Sequence, residues 1–329
     1  MGSKFRLLHW IHNVISDMPF KSAADVFSGS GCVSYLFKAM GKKVSTNDFL
    51  NMCATVSKAI VENPGFVLSA KNIEILLMPD RRRKHFIEKT FSGIFFSPED
   101  LRFLDLVSWN LNKLGGEYER AIALAAMIRS CVKRQPRGVF TIAGDPEHYK
   151  DGRRDLLLSL REHFLEQVKV FNDAVFDNGH KNIACCGDVF DWSPVEPVDL
   201  VYMDPPYVPR ADDNCYMKRY HFLEGLSCYW VDKKIMHETR VKKIEKPFTP
   251  FSYRKTAIKA FDDMFRKFRN SILVLSYSSN GYPDLAELHR IMKRYKGTVD
   301  VFKRAHRYHF GTHSTVKRSQ VDEYLVVGY

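Results

Sequence analysis

The chain has 329 residues, 45% of them hydrophobic and 27% charged, a composition that is typical of a globular protein and excludes a disordered one. Lysine and arginine outnumber aspartate and glutamate by 50 to 38, so the net charge is +12. This excess leaves two interpretations open, a nucleic-acid partner or a merely basic enzyme. Seven cysteines without a CxxC pair predict free thiols in a reducing cytoplasm. No apolar run is long enough to span a membrane.

The first element pattern is a strand, a glycine-rich turn, a helix and a second strand. "KSAADVFSGSG" at 21–31 predicts a strand that runs into a turn, and "CVSYLFKAMGKK" follows with apolar residues at helical spacing. Gly41 is expected to end that helix. "KVSTNDFL" then predicts a second strand that ends near Asp48. This order is typical of the opening βαβ unit of a nucleotide-binding α/β domain.

The middle of the chain has a different character. Residues 66–180 are rich in arginine, lysine and aromatic residues, and their apolar spacing is mostly helical. We therefore predict an inserted, mostly helical domain at 66–180. The flanking segments 1–65 and 181–329 together are predicted to form the α/β domain.

Strands resume after the predicted insertion. "NIACCGDVFDW" begins at Asn182, and "VDLVYM" is an apolar strand that precedes Asp204. We expect Cys185 and Cys186 to pack in the core of the sheet. "TVDVFKRAHRYHF" and "VDEYLVVGY" predict a final antiparallel pair. The predicted fold is a Rossmann-like α/β sheet with helices on both faces.

The segment "DPPY" at 204–207 suggests a specific chemistry. A strand that ends on Asp204 places its carboxylate at the mouth of a parallel sheet, where ligands bind. Pro205 and Pro206 stiffen the turn and leave carbonyl acceptors, and Tyr207 offers an aromatic face. Acceptors beside a flat ring suit the exocyclic amine of a nucleobase that stacks on the tyrosine. Two such hydrogen bonds would localise the nitrogen lone pair and strengthen as positive charge develops in the transition state.

These motifs together resemble a known family. Asp204-Pro205-Pro206-Tyr207 matches the DPPY motif of S-adenosylmethionine-dependent DNA adenine-N6 methyltransferases, and "DVFSGSG" at 25–31 matches their FxGxG cofactor motif. The motif order resembles that of the Dam-like alpha group, which includes type II modification methylases and carries target recognition in its variable segment. "GSKFRLLHWI" partly resembles that family's "GGKxxLL" element. The resemblance implies a class I methyltransferase sheet with a target-recognition insertion.

The resemblance also implies a binding site for S-adenosylmethionine, which becomes S-adenosylhomocysteine. Phe27, Ser28, Gly29 and Gly31 would surround the methionine part. Asp188 resembles the residue that accepts from the cofactor's adenine amine, although a structural role as a turn residue is the alternative. From the residues alone, Asp48, with Asn47 as the alternative, is expected to accept the ribose hydroxyls. Lys4 is expected to contact the cofactor carboxylate.

The predicted function is site-specific methylation of adenine N6 in double-stranded DNA, on a base flipped out of the duplex. The resemblance implies a role in restriction–modification, with a cognate restriction endonuclease as a possible partner, in the prokaryotic cytoplasm at the nucleoid. No metal and no membrane partner is expected, and a monomer suffices for the chemistry. The alternatives are methylation of cytosine N4, RNA adenine or protein glutamine, and a non-catalytic nucleic-acid-binding subunit.

Overall fold

The computed structural model describes residues 4–143, 152–206, 208–209, 216–307 and 320–329. The chain divides by its internal contacts into two compact units. The sheet unit comprises Gly2–Phe49, Asn178–Cys215 and Pro247–Tyr329, and the helical unit comprises Leu50–Asp177 and Tyr216–Lys246. The helical unit differs in its bounds from the predicted insertion at 66–180, because it begins at Leu50 and also includes 216–246. The role of the insertion in target recognition stays a prediction.

The sheet unit contains nine strands and four α-helices among its described residues. The strands are β1 (Ser22–Asp25), β2 (Lys43–Asp48), β3 (Ile183–Cys186), β4 (Leu200–Met203), β5 (Val208–Pro209), β6 (Ile272–Ser278), β7 (Gly281–Tyr282), β8 (Val299–Arg307) and β9 (Gln320–Gly328). The helices are α1 (Leu8–Ile15), α2 (Cys32–Ala39), α11 (Arg254–Lys267) and α12 (Leu285–Met292), with 3-10 turns at Lys4–Leu7 and Pro250–Ser252.

Seven strands form one mixed sheet in the order β3-β2-β1-β4-β6-β9-β8. Strands β3, β2, β1, β4 and β6 are parallel, and β9 runs antiparallel to both β6 and β8. The predicted α/β class and the predicted antiparallel pairing of the last two strands are confirmed. The order of strands along the chain reverses between β1 and β4, which is the point where ligands bind in open α/β sheets.

Residue chemistry explains the boundaries of the first βαβ unit. Gly31 adopts a left-handed conformation with φ 74° just before α2, and Gly41 does so with φ 71° just after it. Such a conformation is readily available to glycine, which has no Cβ, so the two residues delimit the helix. The predicted helix stop at Gly41 is confirmed. Strand β4 is buried along its whole length, because it lies in the middle of the sheet.

One prediction about the sheet is wrong. Cys185 is only partly buried and Cys186 is exposed, so this pair does not belong to the core. The reason is that β3 is the last strand at its edge of the sheet. An apolar four-residue run does not reveal whether its strand is central or at the edge.

The core of the sheet unit includes an aromatic cluster that supports the loops after β1 and β3. Phe251 is buried and its ring lies 5.5 Å from that of Phe27, edge to face, and 5.6 Å from that of Phe190, stacked. The ring of Phe261, on α11, lies 5.3 Å from that of Phe251. Aromatic pairs of this geometry add to the energy of burial. The cluster therefore anchors the start of the glycine-rich loop to α11.

The helical unit contains eight α-helices among its described residues. They are α3 (Asn51–Ser57, continued by a π-helical turn at Lys58–Glu62), α4 (Ala70–Leu77), α5 (Phe86–Phe91), α6 (Pro98–Asn110, continued by a 3-10 turn at Leu111–Lys113), α7 (Glu117–Arg134), α8 (Arg154–Leu157), α9 (Leu160–Ala174) and α10 (Tyr216–Ser227). Serine caps begin several of them, and Ser159 forms a full capping box with Glu162. No helix in the described ranges is long and apolar enough to cross a membrane.

The core of the helical unit is built around Phe222 on α10. Its ring lies between 4.9 and 5.5 Å from five other aromatic rings, which are those of Phe91, Phe95, Phe96, Phe140 and Trp230. His221 is also buried, and its Nε2 lies 2.8 Å from the carbonyl oxygen of Phe140. Burial lowers the pKa of His221 to about 4, so this imidazole stays neutral at physiological pH.

Candidate active site

Three aspartates lie at the carboxyl ends of neighbouring parallel strands. Asp25 ends β1, Asp48 ends β2, and Asp204 directly follows β4. Strand β1 pairs with β2 on one side and with β4 on the other. The three carboxylates therefore meet at one edge of the sheet, at the point where the strand order reverses.

The glycine-rich loop after β1 has the geometry of a ligand cradle. Gly29 has a φ of 52°, and an added Cβ would come no closer than 3.8 Å to the carbonyl oxygen of Phe27. Ser28 is buried, and its N–H donates to the carbonyl of Asn47 at 3.0 Å. The N–H of Gly31 donates to the carbonyl of Ser28 at 2.7 Å. These bonds hold the loop as a tight turn against the end of β2.

Asp48 is bound to this loop. Its Oδ2 accepts a hydrogen bond from the N–H of Gly29 at 2.8 Å, and its side chain is partly buried. The structure therefore brings together two of the predicted cofactor residues, Gly29 from the loop after β1 and Asp48 from the end of β2. The neighbouring Asn47 is buried, and its amide nitrogen donates to the carbonyl of Gly187 at 3.0 Å. Among the described residues its Oδ1 has no hydrogen-bond partner.

Asp25 is a candidate site residue that the sequence analysis did not identify. It is 1% exposed, its Oδ2 accepts from the hydroxyl of Ser34 at 2.6 Å, and its Oδ1 has no hydrogen-bond partner within the described part of the chain. Burial raises the pKa of Asp25 to about 7; the Ser34 hydrogen bond opposes this rise, and repulsion from Asp204 adds to it. The sequence could have indicated this residue, because Asp25 is the first residue of "DVFSGSG" and ends the strand before the loop.

Asp188 lies in the turn after β3. Its Oδ1 accepts a hydrogen bond from the N–H of Phe190 at 2.9 Å, and its carbonyl accepts from Trp192 at 2.8 Å. This is the turn geometry that the structural alternative predicted. The proposed contact with the adenine of the cofactor stays a prediction.

Asp204 occupies the centre of the charged part of the site. Its Oδ1 lies 3.3 Å from Nζ of Lys4, and the same ammonium lies 3.1 Å from Oε2 of Glu323. Burial raises the pKa of Asp204 above its ordinary value, the ammonium of Lys4 opposes this rise, and the carboxylate of Glu323 adds to it. Glu323, on β9, was not predicted, because its apolar surroundings in "VDEYLVVGY" gave no sign of a functional role.

The rest of the DPPY loop is described in part. Pro205 is buried and Pro206 is partly buried, while Tyr207 lies outside the described residues. Strand β5 follows at once and pairs with β7, Val208 opposite Tyr282. The ammonium of Lys4 lies near two protein carboxylates, those of Asp204 and Glu323. The predicted contact of Lys4 with the cofactor carboxylate stays a prediction.

No group of three or more histidine, cysteine, aspartate or glutamate side chains in the described ranges could hold a metal ion. The prediction that the chemistry needs no metal is independent of this finding and stays a prediction.

Comparison with known proteins identifies the family. The chain is 30% identical over 321 residues to the type II methyltransferase M2.HphI of Haemophilus parahaemolyticus, with 94% of this chain and 90% of that protein covered. It is 22% identical to the type II methyltransferase M.NlaIII of Neisseria lactamica, with 93% and 91% covered. It is 26% identical to the type II methyltransferase M.FokI of Planomicrobium okeanokoites, with 99% of this chain but 51% of that protein covered.

The sequence model of one family matches residues 1–278, which is most of the chain. The predicted enzyme class is thereby confirmed, and the chain belongs to the D12 class N6 adenine-specific DNA methyltransferase family.

Proposed function

We propose that this enzyme methylates adenine N6 at a specific site in double-stranded DNA, with S-adenosylmethionine as the methyl donor and with Asp204 as the main acceptor for the substrate amine. The observation that carries the proposal is the position of Asp204 directly after the buried central strand β4, at the strand-order reversal and beside the glycine-rich loop after β1. A carboxylate held there is suited to receive a planar, amine-bearing substrate.

The residues around the loop fit the proposed cofactor. Gly29 and Gly31 present no Cβ at their two positions in the loop. Asp25 and Asn47 each have a buried oxygen without a hydrogen-bond partner among the described residues. Buried acceptors of this kind suit the ammonium and hydroxyl donors of S-adenosylmethionine. When bound, the cofactor supplies an activated methyl group. Asp48 is proposed to accept from the ribose hydroxyls, and Asp188 from the adenine amine.

The residues of the DPPY loop have three proposed tasks. Asp204 and the carbonyl of Pro205 each accept one hydrogen of the N6 amine, which localises the nitrogen lone pair toward the methyl donor. Pro206 stiffens the turn that holds these two acceptors. Stacking of the flipped base on Tyr207 stays a prediction, because that residue lies outside the described part of the chain.

The helical unit is proposed to supply target recognition. Several basic residues at its surface are exposed, namely Arg81, Arg82 and Lys84. Such residues suit contacts with DNA phosphates, and the net charge of +12 agrees with a polyanionic substrate. The monomer is proposed to be sufficient for the chemistry.

The proposed biological role is host marking in a restriction–modification system. The relatives described above are named as type II methyltransferases. We propose that this chain likewise protects the sites of a cognate restriction endonuclease, in the cytoplasm and in association with the nucleoid.

The test is methyl transfer from labelled S-adenosylmethionine to unmethylated genomic DNA, followed by nucleoside analysis. The native enzyme should place label in N6-methyladenosine. An Asp204→Asn variant should lose at least about 100-fold in turnover, because an amide is a weaker acceptor where positive charge develops. It should still bind the cofactor.

The matched control is Asp300→Asn, which changes an exposed aspartate on β8 and should leave turnover unchanged. Full activity in Asp204→Asn would contradict the proposed mechanism. Label in N4-methylcytosine would show that the substrate base is cytosine.

A further inference from the structure

Three charged side chains form a cluster at Asp204, the first residue of the DPPY segment. The ammonium of Lys4 lies 3.1 Å from Oε2 of Glu323 and 3.3 Å from Oδ1 of Asp204. The side chain of Lys4 is 10% exposed, and that of Glu323 is fully buried. A lysine and a glutamate that are so far from water need a structural or functional reason, because burying each charge costs several kcal/mol.

Three separate elements bring the cluster together. Lys4 begins the 3-10 turn before α1, Asp204 follows β4, and Glu323 lies in β9 opposite Ser278 of β6 and Arg304 of β8. The pairing of β9 on both sides fixes the position of Glu323. Glu323 in turn fixes the ammonium of Lys4 beside Asp204.

Within the cluster, one ammonium serves two carboxylates, those of Asp204 and Glu323. Without Lys4, Asp204 would be a partly buried carboxylate whose nearest charged neighbour is the carboxylate of Glu323. It would then take up a proton, and a protonated carboxyl is a poor acceptor for the substrate amine.

We propose that Lys4, held in place by Glu323, is a positioning residue that keeps Asp204 ionised and directs one of its carboxylate oxygens toward the substrate amine. This inference rests on the proposed function of Asp204. Lys4 contacts Oδ1, which assigns Oδ2 as the oxygen that accepts from the amine. Lys4 acts through Asp204 and touches neither the base nor the methyl group.

The role inferred here differs from contact with the cofactor carboxylate, which the sequence analysis expected for Lys4. A lysine that binds the cofactor should affect mainly cofactor affinity, at every pH. A lysine that keeps Asp204 ionised should affect mainly the acidic limb of the pH–rate profile.

The other titratable groups near the cluster set the direction of the effect. Asp204 faces Lys4, Glu323 and Asp25, and Tyr202 on β4 lies within its electrostatic influence. His306 on β8 lies near Lys4 and Glu323, and burial lowers the pKa of its imidazole. Arg6 and Arg304 also act on His306, but Lys4 is the cation in contact with Asp204, so its loss raises the pKa of Asp204 further.

The experiment compares pH profiles of kcat/KM for the native enzyme, Lys4→Met, Lys4→Gln and Lys4→Arg. In Lys4→Met the acidic limb should move to higher pH by at least about one unit. At a given pH on that limb, kcat/KM should therefore fall about tenfold. Lys4→Arg keeps the charge and should restore most of the native profile. Lys4→Gln is polar but uncharged and should show the same upward shift as Lys4→Met.

The control is Lys296→Met, which replaces another buried lysine of the sheet unit, one that donates to the carbonyl of Arg269 at 2.9 Å. Its profile should match that of the native enzyme. Cofactor affinity, measured by calorimetry with S-adenosylmethionine, should stay within about twofold in Lys4→Met. A cofactor affinity at least about tenfold weaker with an unmoved acidic limb would overturn the inference and favour the cofactor contact.

Two further outcomes separate this inference from the proposed function. If Asp204→Asn is inactive but the acidic limb is unmoved in Lys4→Met and Lys4→Gln, the inference about Lys4 is overturned and the proposed role of Asp204 stands. An active Asp204→Asn would overturn the proposed mechanism itself. If Lys4→Met does not fold, Lys4→Gln takes its place, and an unmoved acidic limb in that variant would overturn the inference.

Discussion

The buried carboxyl of Asp25 predicts a pH dependence of stability that can be measured directly. Its pKa is raised from an ordinary 3.8 to about 7 in the folded protein, chiefly by burial. The folded state therefore holds this proton more tightly than the unfolded state does. Stability from this group is fully present below about pH 4 and is lost as the pH rises toward about 7. The total loss is about 4 kcal/mol, at about 1.4 kcal/mol for each unit of pKa shift.

The perturbation is Asp25→Asn, which keeps the shape of the side chain and an oxygen that accepts from Ser34. The variant cannot ionise, so without cofactor its free energy of unfolding should exceed that of the native protein at high pH. Between pH 5 and pH 8 this difference should grow by about 2–3 kcal/mol. The assay is urea unfolding at a series of pH values, followed by circular dichroism.

The matched control is Asp199, whose pKa is shifted in the opposite direction to that of Asp25. Asp199 accepts hydrogen bonds from the N–H groups of Lys21 and Ser22 at 2.8 and 2.9 Å, and the first of these bonds is the main cause that lowers its pKa. Asp199→Asn should therefore destabilise the protein at neutral pH, by an amount that shrinks as the pH falls through the lowered pKa. A difference between Asp25→Asn and the native protein that stays constant from pH 5 to pH 8 would refute the reasoning.

Two glycine substitutions should separate cofactor binding from folding. Gly29→Ala adds a Cβ to a left-handed residue of the loop, at a place where no atom lies closer than 3.8 Å. The left-handed conformation should cost about 1 kcal/mol of stability. Calorimetry should show a loss of cofactor binding free energy larger than this stability cost. Unchanged cofactor affinity would argue against the loop as the cofactor site. Gly225→Ala would place its Cβ on the buried indole of Trp230, so thermal unfolding should show a loss of about 3 kcal/mol in the helical unit, and a native-like melting temperature would contradict this.

The motifs of the site could be predicted because each is local. The spacing of apolar residues and glycines around "DVFSGSG" marks a strand, a left-handed turn and a helix, and the structure has β1, Gly31 and α2 there. "VDLVYMDPPY" marks an apolar strand that ends on an acid, and β4 ends directly before Asp204. These patterns depend on backbone sterics and side-chain periodicity over a few residues, which the sequence contains directly.

Contacts between distant segments were decided by the tertiary structure. Lys4 and Glu323 are 319 residues apart, and they meet because β9 inserts between β6 and β8. The burial of Asp25 and the exposure of Cys186 likewise follow from the positions of β1 and β3 in the sheet. The sequence by itself determined the family and the α/β class, and it predicted Asp204 as the acceptor. Which charges surround that acceptor depends on strand order and long-range pairing, which no local pattern encodes.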